Sequence, residues 1–140
     1  MTAGAQGSPR QPHVSLAAAA LRLSLDARGT LSELRDAASG RNLLAPDTVA
    51  ALLTVVRDGR RIPPTALSSR PTAEGMELTL RYAPVGARIV VRARPRATHL
   101  TLDITSAAPA DRIDAVVWGP FPSSISQTVG EVVGIVRDSA

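Results

Sequence analysis

The sequence predicts an all-β chain folded as an antiparallel β-sandwich. Apolar and polar residues alternate with a period of two along most of its length, no helical period persists beyond two turns, and turn residues recur roughly every eight to twelve positions. No segment repeats at a fixed period, which disfavours a propeller or a solenoid. At 140 residues the chain has the size of one ordinary domain and can bury a core without covalent staples.

The elements follow in order. Residues 1–13 are small, polar and interrupted by prolines, and read as a flexible lead-in; residues 14–140 make up the predicted sandwich domain. The apolar run from Val14 to Leu21, behind Arg10, is the best candidate for an export signal. It is a poor one, because it runs straight into a strand pattern and has no clear cleavage site. Leu21, Leu23 and Leu25 alternate with Arg22, Ser24 and Asp26 as a strand with one apolar face. Asp26-Ala27-Arg28-Gly29 suits a type I turn closed by a left-handed glycine. On the return, Leu31 and Leu34 stand three apart, which predicts a bulge at Ser32 and Glu33.

Gly40 is placed for another positive-φ turn. Residues 49–56 are almost continuously apolar and read as one central strand covered on both faces. Asp58-Gly59 signals a two-residue hairpin. The return strand over residues 61–68 is pushed to an edge, or to a late start, by Pro63 and Pro64.

The stretch from Met76 to Ser106 can be registered. Met76, Leu78, Leu80 and Tyr82 point one way and Glu77, Thr79 and Arg81 the other; Ala83-Pro84-Val85-Gly86 supplies the turn. A hairpin centred there sets Leu80 opposite Ile89, Leu78 opposite Val91 and Glu77 opposite Arg92. A third strand puts Leu100, Leu102 and Ile104 inside, with Thr101 and Asp103 outside. Arg88, Arg92, Arg94 and Arg96 then form a row that could bind anions. The preferred reading is a solvated face with Glu77 and Asp103 as cross-strand neighbours. Further strands are expected at residues 112–117 and, beyond the Trp118-Gly119-Pro120-Phe121-Pro122 turn, at residues 129–137.

Composition excludes several functions. There is no cysteine, hence no disulfide, thiolate zinc site or cysteine nucleophile. The net charge of +4 and the pI near 11.2 come from sixteen basic residues that are all arginine. Acids are interspersed among them with no basic run, so no nucleic-acid partner is expected. No apolar run approaches the roughly 20 residues that span a bilayer, and no membrane partner is expected either.

The residues for catalysis are sparse. The two histidines are His13, in the lead-in, and His99, which reads as a polar turn residue; no G-x-S-x-G elbow exposes a serine to complete a triad. Asp111 and Asp114 are the nearest approach to paired carboxylates, the chemistry of glycoside hydrolysis, although aspartates three apart at the start of a strand usually cap or close a turn. Asp111, Asp114 and His99 are therefore the weak catalytic candidates. No spacing suggests a metal site or a phosphate-binding glycine loop, and no cofactor is expected.

Trp118 and Phe121 are two of only three aromatic residues. They could form a platform and rim for a sugar face, and are the candidate ligand-binding residues. The preferred alternative makes Trp118 a plug for a core short of aromatics.

The segment LRLSLDARGTLSELRDAASGRNLL, from Leu21 to Leu44, resembles the opening of the galactose-mutarotase-like β-sandwich domain that precedes the catalytic domain in several glycoside hydrolases. DAVVWGPFPSSISQTVGEVVGIVRD, from Asp114 to Asp138, is similar to a W-G-P then V-G-E-x-x-G-V-x-R stretch of large bacterial proteins with such a leading domain. Together the two motifs span residues 21–138. The resemblance implies a galactose-mutarotase-like super-sandwich, in part. It further implies a non-catalytic N-terminal domain supporting an adjoining catalytic domain, possible contact with carbohydrate, and a secreted or periplasmic setting. Mutarotases use histidine and glutamate residues that have no matching pair here, so epimerase activity is not implied. The chain stops at Ala140, three residues after its last predicted strand, which suggests the leading module or a fragment of a longer protein. The alternatives are a free-standing carbohydrate-binding module that uses Trp118, and a small carbohydrate-processing enzyme.

Overall fold

The computed structural model describes residues 13–124. Within them the chain is all-β: ten strands and two single-turn 3-10 helices, with no α-helix, in three antiparallel sheets.

The first sheet has the order β1 (Val14–Ala18), β2 (Leu21–Leu25), β3 (Leu31–Asp36). The segment weighed as an export signal is thus a strand, with Val14, Leu16 and Ala18 buried between exposed Ser15 and Ala17. Its ladder reaches into the expected lead-in, because the His13 N–H donates to the Leu25 carbonyl at 2.7 Å. The turn after β2 closes as its residues demand. Gly29 has φ 90°, its N–H donates to the Asp26 carbonyl at 3.1 Å, and Asp26 Oδ1 accepts the N–H groups of Arg28 at 2.9 Å and Thr30 at 3.0 Å. The expected bulge falls on Ser32: Leu25 faces Leu31 and Ser24 faces Glu33, so Ser32 has no cross-strand partner. After β3, Ser39 Oγ and the Ala38 N–H donate to the Asp36 carboxylate, and these bonds hold its pKa below the ordinary carboxylate value.

The second sheet has β4 (Leu53–Arg57) at its centre, between β10 (Ala115–Trp118) and β5 (Arg60–Ile62). The expected single strand over residues 49–56 is corrected here. Val49 is 70% exposed, and Ala50, Ala51 and Leu52 are buried yet lie outside the strand. The cause is where their backbone groups go: Ala50 accepts from the Leu31 N–H at 2.7 Å, and the Leu52 N–H donates to Gly29 at 3.0 Å. This segment stitches the first sheet to the second. The Asp58-Gly59 hairpin has positive φ at both central residues, 50° and 73°, the backbone of a two-residue primed turn.

The expected return strand over residues 61–68 is two strands. Pro63 and Pro64 donate no N–H, so β5 stops at Ile62 and the chain resumes as β6 (Ala66–Thr72) in another sheet. That third sheet has the order β6, β7 (Gly75–Tyr82), β8 (Ala87–Pro95), β9 (Leu100–Ala108). Leu80 faces Ile89, Leu78 faces Val91 and Glu77 faces Arg92, the register expected from the alternation. Leu102 and Ile104 of β9 are half-buried against the same core.

The buried faces of the three sheets meet in one apolar cluster. Leu25, Leu53, Val55, Leu78, Leu80, Ile89 and Val91 are fully enclosed there. Tyr82 is its one buried aromatic, and its hydroxyl donates to the Leu53 carbonyl at 2.7 Å, tying the third sheet to the second. The strand expected at residues 129–137 lies outside the described residues.

Candidate functional site

The last described strand sets out the aromatic surface. β10 pairs with β4 so that Ala115 faces Val56 and Trp118 faces Leu53. The chain then turns at Gly119, whose φ of 71° suits a residue without a side chain. A Cβ at Gly119 would stand 2.9 Å from the Phe121 nitrogen and 3.2 Å from the Phe121 ring, so the ring of Phe121 packs back over its own turn. The turn is braced on both sides. The Gly119 N–H donates to Leu52 at 3.3 Å; beyond it, Pro122 accepts from the Ala45 N–H at 2.9 Å and the Ser124 N–H donates to Leu43 at 2.8 Å. Trp118 at 38% exposure and Phe121 at 41% are therefore held half-exposed on ordered backbone.

This corrects the preferred expectation that Trp118 plugs the core. The core does need an aromatic, but Tyr82 supplies it. Tyr82 lies on the inward face that the alternation predicts for it, continuing the series Leu78, Leu80.

Of the catalytic candidates, His99 lies at the other end of β9 from Asp111 and Asp114. His99 lies exposed in the β8–β9 turn, with its Nδ1 3.0 Å from Thr98 Oγ1 and its carbonyl accepting from the Arg96 N–H. Asp111 sits in the single-turn helix Ala110–Arg112 beyond the far end of β9. The nine residues of β9 separate the two by roughly 27 Å at about 3.3 Å per residue. Asp114 closes a turn instead. Its Oδ2 accepts the Asp58 N–H at 2.7 Å and its Oδ1 lies 3.4 Å from Arg57 Nη1, which also donates to the Asp111 carbonyl at 2.5 Å. These bonds fasten the β4–β5 hairpin to the segment entering β10.

The arginine row is partly compensated, by Asp103 as expected and by Glu74 besides. Arg94 Nη2 pairs with Asp103 at 2.8 Å and its Nη1 with Glu74 at 3.3 Å, and the two carboxylates push its pKa above the ordinary value. Glu77 stands opposite Arg92, but its carboxylate binds Arg70 at 3.0 Å. Among the described residues no three metal-ligating side chains converge, and no helix is long and apolar enough to cross a membrane. No protein-family model, no curated protein and no solved structure matches this chain.

Proposed function

We propose that this chain is a non-catalytic β-sandwich module, the N-terminal domain of a carbohydrate-active protein, and that it supports an adjoining catalytic domain. The observation that carries this reading is the pair Trp118 and Phe121, half-exposed on a turn braced from two sides. In a chain with three aromatics, two at the surface on ordered backbone form a ready docking patch. The single core shared by three sheets supports the sandwich, and the resemblance of residues 21–138 supports the carbohydrate context. Asp114, committed to holding a hairpin, argues against chemistry at this end of the chain.

A second reading, a free-standing carbohydrate-binding module, is favoured by the same exposure of Trp118, whose ring could stack on a sugar face. Trp118→Ala separates the two. The melting temperature should stay within about 2 °C of the parent, as for other substitutions outside the core. Calorimetric titration with the adjoining catalytic domain as a separate chain should show association weakened by about tenfold or more. Lost binding of neutral oligosaccharides, with no association to weaken, would select the binding module. Failure to fold would return Trp118 to the core and sink both readings.

A further inference from the structure

The sheet registers set arginine against arginine at three places: Arg22 with Arg35, Arg57 with Arg60, and Arg81 with Arg88. Like charges directly opposite one another destabilise a sheet. In the first pair Glu33 binds Arg35, and in the second Asp114 and Asp58 lie 3.4 and 3.5 Å from Arg57. Among the described residues neither Arg81 nor Arg88 has an ion-pair partner. Their outer cross-strand neighbours are Ala66 and Ala108, and the next pair on the same face of the β7–β8 ladder is Thr79 with Val90. The first carboxylate on that ladder, Glu77, is already bound by Arg70.

Arg81 and Arg88, both exposed, line a cleft of about 620 Å³, together with Thr65, Ala66, Ala108 and Pro109, and no acidic residue lines it. At the adjoining turn Arg112 Nη1 lies 3.5 Å from the Val85 carbonyl, adding a third cation at that corner. We propose that this cleft binds an oxyanion group, carboxylate or sulfate, bridged between Arg81 and Arg88. Such a group offers several acceptor oxygens to two planar guanidinium forks, and its charge would relieve a repulsion that no side chain of the described residues relieves. The group comes either from a free inorganic anion or from an acidic saccharide; the saccharide source rests on the carbohydrate reading above.

The test follows the Arg81 and Arg88 side-chain Nε–H resonances while sodium sulfate replaces sodium chloride at constant ionic strength. Saturable shifts are expected, weakened at least about tenfold in Arg81→Gln and Arg88→Gln and unchanged in Arg92→Gln. In chloride alone, Arg88→Gln should melt no lower than the parent, because it removes a repulsion. Shifts that never saturate, that chloride reproduces, or that Arg92→Gln weakens equally would overturn the proposal. A uronate- or sulfate-bearing oligosaccharide that binds more tightly than sulfate assigns the saccharide source, and equal or weaker binding assigns the free ion. Neutral oligosaccharides, read at Trp118, test the carbohydrate reading separately.

Discussion

Tyr82→Ala is expected to destabilise the chain by about 3–5 kcal/mol, the range for truncating a buried aromatic side chain. A domain of this size has a total stability of roughly 5–15 kcal/mol, so the variant should be largely unfolded if the parent lies at the lower end. Tyr82 is fully enclosed, and its ring is the one aromatic filling the space where three sheets meet. Tyr82→Phe isolates the hydroxyl: it keeps the ring but removes the donor to the Leu53 carbonyl, for a cost of about 1–3 kcal/mol. Urea unfolding of the three proteins gives both numbers.

Alkaline titration provides an independent check, because burial pushes the Tyr82 phenol above its ordinary pKa. The folded chain then favours the neutral phenol more than the unfolded chain does. That contribution is fully present below the unfolded value of about 10 and is lost as pH rises beyond it. Tyr82 is the only tyrosine, so tyrosinate absorbance should appear late and together with loss of the fold. An ordinary titration near pH 10 in a folded chain would show that the ring is accessible.

Gly29→Ala should cost more stability than Gly40→Ala. At φ 90° any side chain is strained, and a Cβ there would collide with Cδ2 of the fully buried Leu80 and stand 3.2 Å from Pro64. Gly40 has φ 73° but nothing within 4 Å of a Cβ. Gly40→Ala therefore carries the backbone cost alone, about 1–2 kcal/mol. Gly29→Ala adds overpacking of the core, typically about 1–3 kcal/mol more. Equal losses in the two variants would mean that the turn after β2 does not press on the core.

Where the sequence was legible, local chemistry and long-range pattern agreed. In the β7–β8 hairpin, strict alternation and a turn of fixed length left one register that buries Leu78, Leu80, Tyr82, Ile89 and Val91 together. Asp58-Gly59 and the bulge at Ser32 were legible for the same reason, since each is forced by a few adjacent residues. The misreadings arose where alanine or a continuous apolar run removes the contrast. β1 was hidden because its polar-side residue Ala17 looks apolar and its turn uses Ala19 at φ 51°, which announces no turn. In residues 50–55 hydrophobicity reports burial but not conformation, and only the hydrogen bonds to residues 29 and 31 distinguish the stitch from the strand.

The aromatic site was legible as a place and misjudged as an environment. Trp118, Phe121 and the intervening glycine and proline marked a special turn, but scarcity of aromatics suggested that the largest ring must be inside. Two long-range features decide otherwise: the seat of Tyr82 across from Leu53, and the bracing of residues 122–124 by residues 43–45. The free charge at Arg81 and Arg88 was hidden for a related reason. It depends on which carboxylates the other arginines engage, and pairing across three sheets is not written in spacing.

The supporting-module reading depends most on a half-exposed Trp118, and since it is the only tryptophan, its fluorescence reports on that site alone. In the isolated, folded chain the emission should be red-shifted relative to a core tryptophan and readily quenched by acrylamide. A blue-shifted emission protected from acrylamide would put Trp118 in the core and remove the surface on which the proposed function rests.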